Sequence, residues 1–116
     1  MSKLTTQHCE ACRVGAPLAT EDEIAQWMPD LPEWRLAEAK DIQHLERIFV
    51  FEDFASALRF TNDVGQLAES EGHHPLIVLE WGKVTVQWWT HKIHGLHKND
   101  FIMAAKTDDL FLSYAS

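Results

Sequence analysis

The sequence predicts an α+β fold: a single antiparallel four-stranded sheet with helices packed on one face, in the order α-β-β-α-β-β-α. Two observations carry this. Two stretches of strand character, 34–51 and 76–89, each fold back at a short turn and so form hairpins. Between them runs one long stretch with apolar residues at three- and four-residue spacing, which marks an amphipathic helix. Shorter helical stretches flank the hairpins. A sheet of this kind buries one face against its helices, so the helices share a side.

Residues 1–19 are polar, carry Gly15 and Pro17, and read as a loosely ordered N-terminal segment ahead of a folded unit over 20–116. Thr20-Glu21-Asp22-Glu23 has the form of a capping box, in which Thr20 caps the first turn and Glu23 reaches back three residues. The short helix it opens carries Ile24, Trp27 and Met28 on one face and stops before Pro29. A strand over 34–38, a turn at Ala39-Lys40-Asp41 and a strand over 42–51 form the first hairpin. Its second arm becomes wholly apolar through Ile48-Phe49-Val50-Phe51, as a central strand does. Asp53 is a good N-cap. Phe54, Ala57, Leu58, Thr61, Val64, Gly65 and Ala68 then line one face of the long helix, and Gly72 can end it in the left-handed conformation. A strand over 76–81, a tight turn at Gly82-Lys83 and a strand on which Val84, Val86 and Trp88 alternate with Thr85, Gln87 and Trp89 make the second hairpin. A last helix starts near 98–100, carries Phe101, Ala104, Ala105 and Asp108 on one side, and fades by Ser113.

At 116 residues and 46% apolar, the chain is long enough to bury a core as one domain. Its net charge of −8, with Lys and Arg scattered singly, argues against nucleic acid as a partner, because such binding draws its affinity from clustered cations. No apolar run approaches the roughly 20 residues that span a bilayer, and the N-terminus has no signal-peptide character. A cytoplasmic location and no membrane partner are expected. The two cysteines sit in His8-Cys9-Glu10-Ala11-Cys12. One C-x-x-C with one histidine falls short of a four-ligand zinc site, and neither a strand before it nor a helix after it supports a redox motif. An inert segment is the expectation, with a metal clip or redox chemistry as alternatives.

Chemistry concentrates in two stretches. In Glu69-Ser70-Glu71-Gly72-His73-His74-Pro75, the histidines follow a helix end, where the macrodipole favours a cation, as suits a general acid. Pro75 keeps His74 out of helical geometry, so the two rings point to opposite sides. Glu69 stands one turn behind His73. The plainer reading is a helix cap with two exposed histidines. In the second stretch, 90–100, His91 ends the strand that carries the tryptophans, and Asp100 is either a helix N-terminal acid or a group that orients a histidine. His91, His94 and His97 invite a zinc reading. Gly95 interrupts them and no carboxylate lies between them, so no metal is expected, and His94 and His97 read as surface residues. Nothing resembles a nucleophile elbow or a phosphate loop. The residues alone suit cofactor-free proton transfer on a flat, aromatic-like substrate beside Trp81, Trp88 and Trp89.

The spaced set Glu69-x-x-x-His73-His74-Pro75, then Trp81, His91 and Asp100, resembles the pterin-4a-carbinolamine dehydratase family. So do the flanks Trp34-Arg35, Arg47-Ile48-Phe49, Asp53-Phe54 and Gly95-Leu96, over roughly 20–112. The resemblance implies dehydration of 4a-hydroxytetrahydropterin to the quinonoid dihydropterin, with no cofactor. It implies His73 and His91 as the acid/base pair, His74 as mainly a binding residue, and Glu69, Asp100 and Trp81 as orienting or binding groups. It further implies a homodimer or homotetramer and recycling of pterin for phenylalanine hydroxylase. Some animal members also act as dimerisation cofactors of a transcription factor, which gives the alternative of a protein-binding module. Many members carry Arg before the aspartate, where this chain has Asn99.

Overall fold

The computed structural model describes residues 3–6 and 18–114. Cys9 and Cys12, and the readings made of them, lie outside the described residues.

Thr20 caps helix α1 (Glu21–Trp27) as a capping box, its hydroxyl accepting from the Glu23 N–H at 3.1 Å while Glu23 accepts from the Thr20 N–H at 2.9 Å. A 3-10 turn, Met28–Asp30, follows and absorbs Pro29. Strands β1 (Arg35–Ala39) and β2 (Ile42–Val50) form the first hairpin, through a turn in which Lys40 and Asp41 both take positive φ. Asp53 accepts from the Ser56 N–H at 2.8 Å and starts helix α2 (Phe54–Glu71). Strands β3 (Leu76–Glu80) and β4 (Lys83–Trp88) form the second hairpin, and helix α3 (Lys98–Leu112) ends the chain. The four strands make one antiparallel sheet in the order β1-β2-β4-β3, so the two inner strands come one from each hairpin.

The helix-facing side of the sheet presents Leu45 and Phe49 from β2, and Val84, Val86 and Trp88 from β4, all buried. Ala57, Phe60, Val64 and Ala68 of α2 pack against it, at the three- and four-residue spacing read from the sequence. Phe49 lies 4.7 Å from Phe60 and 5.0 Å from Phe111, ring centre to ring centre, at the middle of an aromatic cluster. Each fully buried ring of this kind is worth about 1.5–3 kcal/mol.

Helix α3 departs from the expected single apolar face. Residues 99–105 are all buried. The sheet and α2 cover one side of the helix. Trp27 of α1 covers Phe101 at 5.1 Å, and a 3-10 turn at Lys3–Thr6 adds buried Leu4, with Lys106 Nζ donating to the Thr5 carbonyl at 3.1 Å. A helix covered on two sides has no polar face to show in its sequence. Farther along, Asp108 accepts from Trp34 Nε1 at 2.8 Å and pairs with Arg47 at 2.6 Å, which ties α3 to the first hairpin. Burial, outweighing those two partners, raises its carboxyl above the ordinary aspartate value.

The opposite face of the sheet carries no helix among the described residues. Ile48, Val50 and Val78 stand on it, half or more exposed in the case of Ile48 and Val50. No helix among the described residues is long and apolar enough to cross a membrane.

Candidate active site

The site begins where α2 stops. Gly72 takes φ +66°, and its N–H returns to the Ala68 and Glu69 carbonyls while the His73 N–H reaches the Ala68 carbonyl at 3.2 Å. That left-handed step sends His73 inward and His74 outward. His73 is 4% exposed, and its ring lies parallel to that of Trp88, with centroids 5.7 Å apart. His74 is exposed and pairs through Nε2 with the Glu69 carboxylate.

Asp100, the third residue of α3, comes to meet His73. Its side chain is wholly buried, and its Oδ1 lies 2.6 Å from His73 Nε2. Its Oδ2 accepts from the Thr90 hydroxyl at 2.8 Å and from the His97 N–H at 2.9 Å. A wholly buried carboxylate needs this number of donors to offset its lost hydration. Asp100 therefore serves both as the helix N-terminal acid and as the group that orients a histidine. His97 occupies the N-cap and accepts the Asn99 N–H on its Nδ1 at 3.1 Å. It is a half-buried capping residue rather than the surface residue expected.

Thr90 and Gly95 bridge the ends of the next loop, with the Thr90 N–H donating to the Gly95 carbonyl at 2.8 Å. Inside that loop is a 3-10 turn, His91–Ile93, which puts His91 beside Trp89 at 4.5 Å between ring centres. His91 is exposed, as is His94. Gly72, His73, His74, Thr90, His91 and Lys92 line one cavity of about 240 Å³. The fold thus brings together all three predicted histidines, with Asp100 behind one and Glu69 beside another.

Trp81 is not part of this gathering. It sits in the turn between β3 and β4, 72% exposed, at the end of β3 away from His74. The spacing that placed it near the site counts residues along an extended strand, and five strand residues carry the chain about 17 Å. The aromatic walls of the site are instead Trp88, under His73, and Trp89, beside His91. Thr90 and His97 were missed as parts of the site. For Thr90 the available signal was its place beside His91. For His97 it was its place three residues before a helix-entry acid, where Ser or Thr is usual. No group of three or more His, Cys, Asp or Glu side chains could share one metal ion among the described residues.

The family model described as pterin 4 alpha carbinolamine dehydratase matches residues 17–110, which takes in every residue of this cavity. The chain belongs to that family. Similar members of the pterin carbinolamine dehydratase family include a protein of Syntrophotalea carbinolica, 61% identical over 95% of this chain and 98% of its own. Another, of Nitrosococcus oceani, is 57% identical over 95% and 97%. Both carry the name "Putative pterin-4-alpha-carbinolamine dehydratase". Among solved structures, a Brucella melitensis protein titled transcriptional coactivator/pterin dehydratase superposes with a TM-score of 0.73 at 28% identity, over 81% of this chain and 98% of that one. A pterin dehydratase-like protein titled a RuBisCO assembly factor in the alpha-carboxysome shares the fold, with a TM-score of 0.58 at 24% identity over 67% and 88%.

Proposed function

We propose that this protein is a hydro-lyase acting on 4a-hydroxytetrahydropterins, by histidine acid/base catalysis in the cavity between the α2 terminus and the loop after β4. The observation that carries the reading is that His73, held from behind by buried Asp100, lines the same cavity as two exposed histidines. The reaction breaks the C4a–O bond and the N5–H bond. The N5 electron pair forms the C4a=N5 double bond, the hydroxyl leaves as water with a proton from an acid, and a base takes the N5 proton.

With His73 Nε2–H donating to Asp100, the neutral ring carries its lone pair on Nδ1, the tautomer a base requires. His73 and His91 divide the acid and base work, and His74, steadied by Glu69, binds the pterin. Family membership supports the substrate class. The quinonoid product is the form that a reductase returns to tetrahydropterin, and an aromatic amino acid hydroxylase, such as phenylalanine hydroxylase, is the enzyme class that supplies the carbinolamine. A cytoplasmic location is part of this proposal.

A second reading, a protein-binding module, draws on the coactivator title of the Brucella melitensis structure and on the apolar strip Ile48, Val50 and Val78 with Trp81 beyond it. That strip lies at the end of the sheet away from the histidines and suits a second copy of this chain in a dimer or tetramer. The test is decay of the 4a-carbinolamine followed by absorbance. Acceleration that persists in strong chelator supports the enzyme. Partner binding with no acceleration supports the module.

A further inference from the structure

A second cavity, of about 220 Å³, opens on the bare face of the sheet and is lined by Ala39, Lys40, Ile42, His44, Leu76, Gln87 and Trp89. It adjoins the first through two links. Trp89, one of its walls, packs against His91 of the histidine cavity. Leu76 lies two residues beyond His74.

His44 is the unusual member. Its side chain is 7% exposed, yet it makes no hydrogen bond to any described residue, and Glu46 Oε1 stands 3.9 Å from its Nε2. Glu46 is already occupied by Arg35 and by Gln87 Nε2. Neither ring nitrogen of His44 is both sealed from solvent and unpartnered, so this largely buried imidazole offers its hydrogen-bonding capacity to the cavity it lines, where a ligand group could take it up. The Trp89 ring packs against both His44, at 6.0 Å, and His91, at 4.5 Å between ring centres. A flat ring that packs along Trp89 from His91 can bring one edge to the His44 side.

We propose that this second cavity is a specificity subsite, in which His44 hydrogen-bonds a hydroxylated side chain on C6 of the pterin and Trp89 and Leu76 pack its carbons. The inference rests on the dehydratase reading. It assigns to His44 a role in choosing substrates and none in the bond-breaking step.

The test is binding, read by tryptophan fluorescence, of 6-(1,2-dihydroxypropyl)-7,8-dihydropterin and of 6-methyl-7,8-dihydropterin. Wild type is compared with His44→Leu and His44→Gln. The expected result is a roughly tenfold preference of wild type for the dihydroxypropyl pterin, lost in His44→Leu and partly restored in His44→Gln, with the 6-methyl Kd unchanged in all three. Wild-type protein that binds both pterins equally, or His44→Leu that weakens both equally, overturns the subsite and leaves the dehydratase reading standing. Wild-type protein that binds neither overturns both.

Discussion

His73 and Asp100, 27 residues apart in sequence, meet at 2.6 Å with 4% and 0% of their side chains exposed. No other histidine–carboxylate pair among the described residues is buried on both sides. A contact so withdrawn from water is screened little, and it fixes both the ring's orientation and its tautomer.

Replacing Asp100 with Asn tests that contact. The amide keeps the size but turns one acceptor into a donor, so either a donor among His73, Thr90 and the His97 N–H goes unmet or His73 shifts to the tautomer that protonates Nδ1. The expected loss is about 10²-fold in turnover and about 1–3 kcal/mol in stability. Rapid-mixing kinetics and urea unfolding read the two separately. Full turnover in this variant would mean that His73 works without its carboxylate.

Thr90 donates its hydroxyl to Asp100, which makes it a positioning residue in the proposed reaction. Thr90→Val removes the 2.8 Å hydrogen bond at nearly constant volume, and Thr90→Ser keeps it. The valine variant should lose about 1–3 kcal/mol and should shift the pH profile of kcat, while serine restores that profile. A purely structural role would lower stability and leave the profile where it was.

Gly72 tests the backbone beneath the site. At φ +66° an added Cβ meets nothing within 4 Å, so the cost of Gly72→Ala is conformational. It should be about 1–2 kcal/mol by urea unfolding. Gly72→Asn should cost less, since asparagine tolerates this conformation. Equal stability of the alanine variant would contradict the left-handed cap.

Tyr114 gives a pH prediction with a clean readout, because it is the only tyrosine in the chain. Burial first, then the hydrogen bond and charge of Asp63, push its phenol up to about 12. A raised value means that the folded state prefers the neutral phenol. Its contribution to stability is therefore whole below the unfolded value near 10 and is lost as pH climbs through about 12. Ultraviolet titration of tyrosinate should give a midpoint near 12 in the native protein. Asp63→Asn should lower that midpoint. A native midpoint at the ordinary value would contradict the contact.

Much of this was legible in the sequence, for identifiable reasons. Thr20, Asp53 and Gly72 each sit where one local hydrogen bond or one backbone conformation decides the outcome, and such signals need no tertiary context. The histidine pair was legible because Gly72 and Pro75 flank it. The rest depended on what lies across the fold. Trp81 looked like a site aromatic because spacing along the chain does not say at which end of a strand a residue stands. His97 looked like a surface residue because its capping bond depends on where α3 begins. Nothing local shows that residues 3–6 and α1 cover the outer side of α3, so that helix read as amphipathic. His44 gave no signal at all, since Trp89, the ring it packs against, is far off in sequence.

The central claim is that the His73–Asp100 pair and His91 dehydrate a pterin carbinolamine. The most direct test generates the 4a-carbinolamine in a rapid-mixing instrument and follows its decay with wild type, His73→Ala and His91→Ala, each checked for an intact fold by circular dichroism. The account predicts marked acceleration by wild type and at least a tenfold loss in each variant, with the fold retained. Acceleration that is unchanged in both variants, or absent from the wild type, would contradict it.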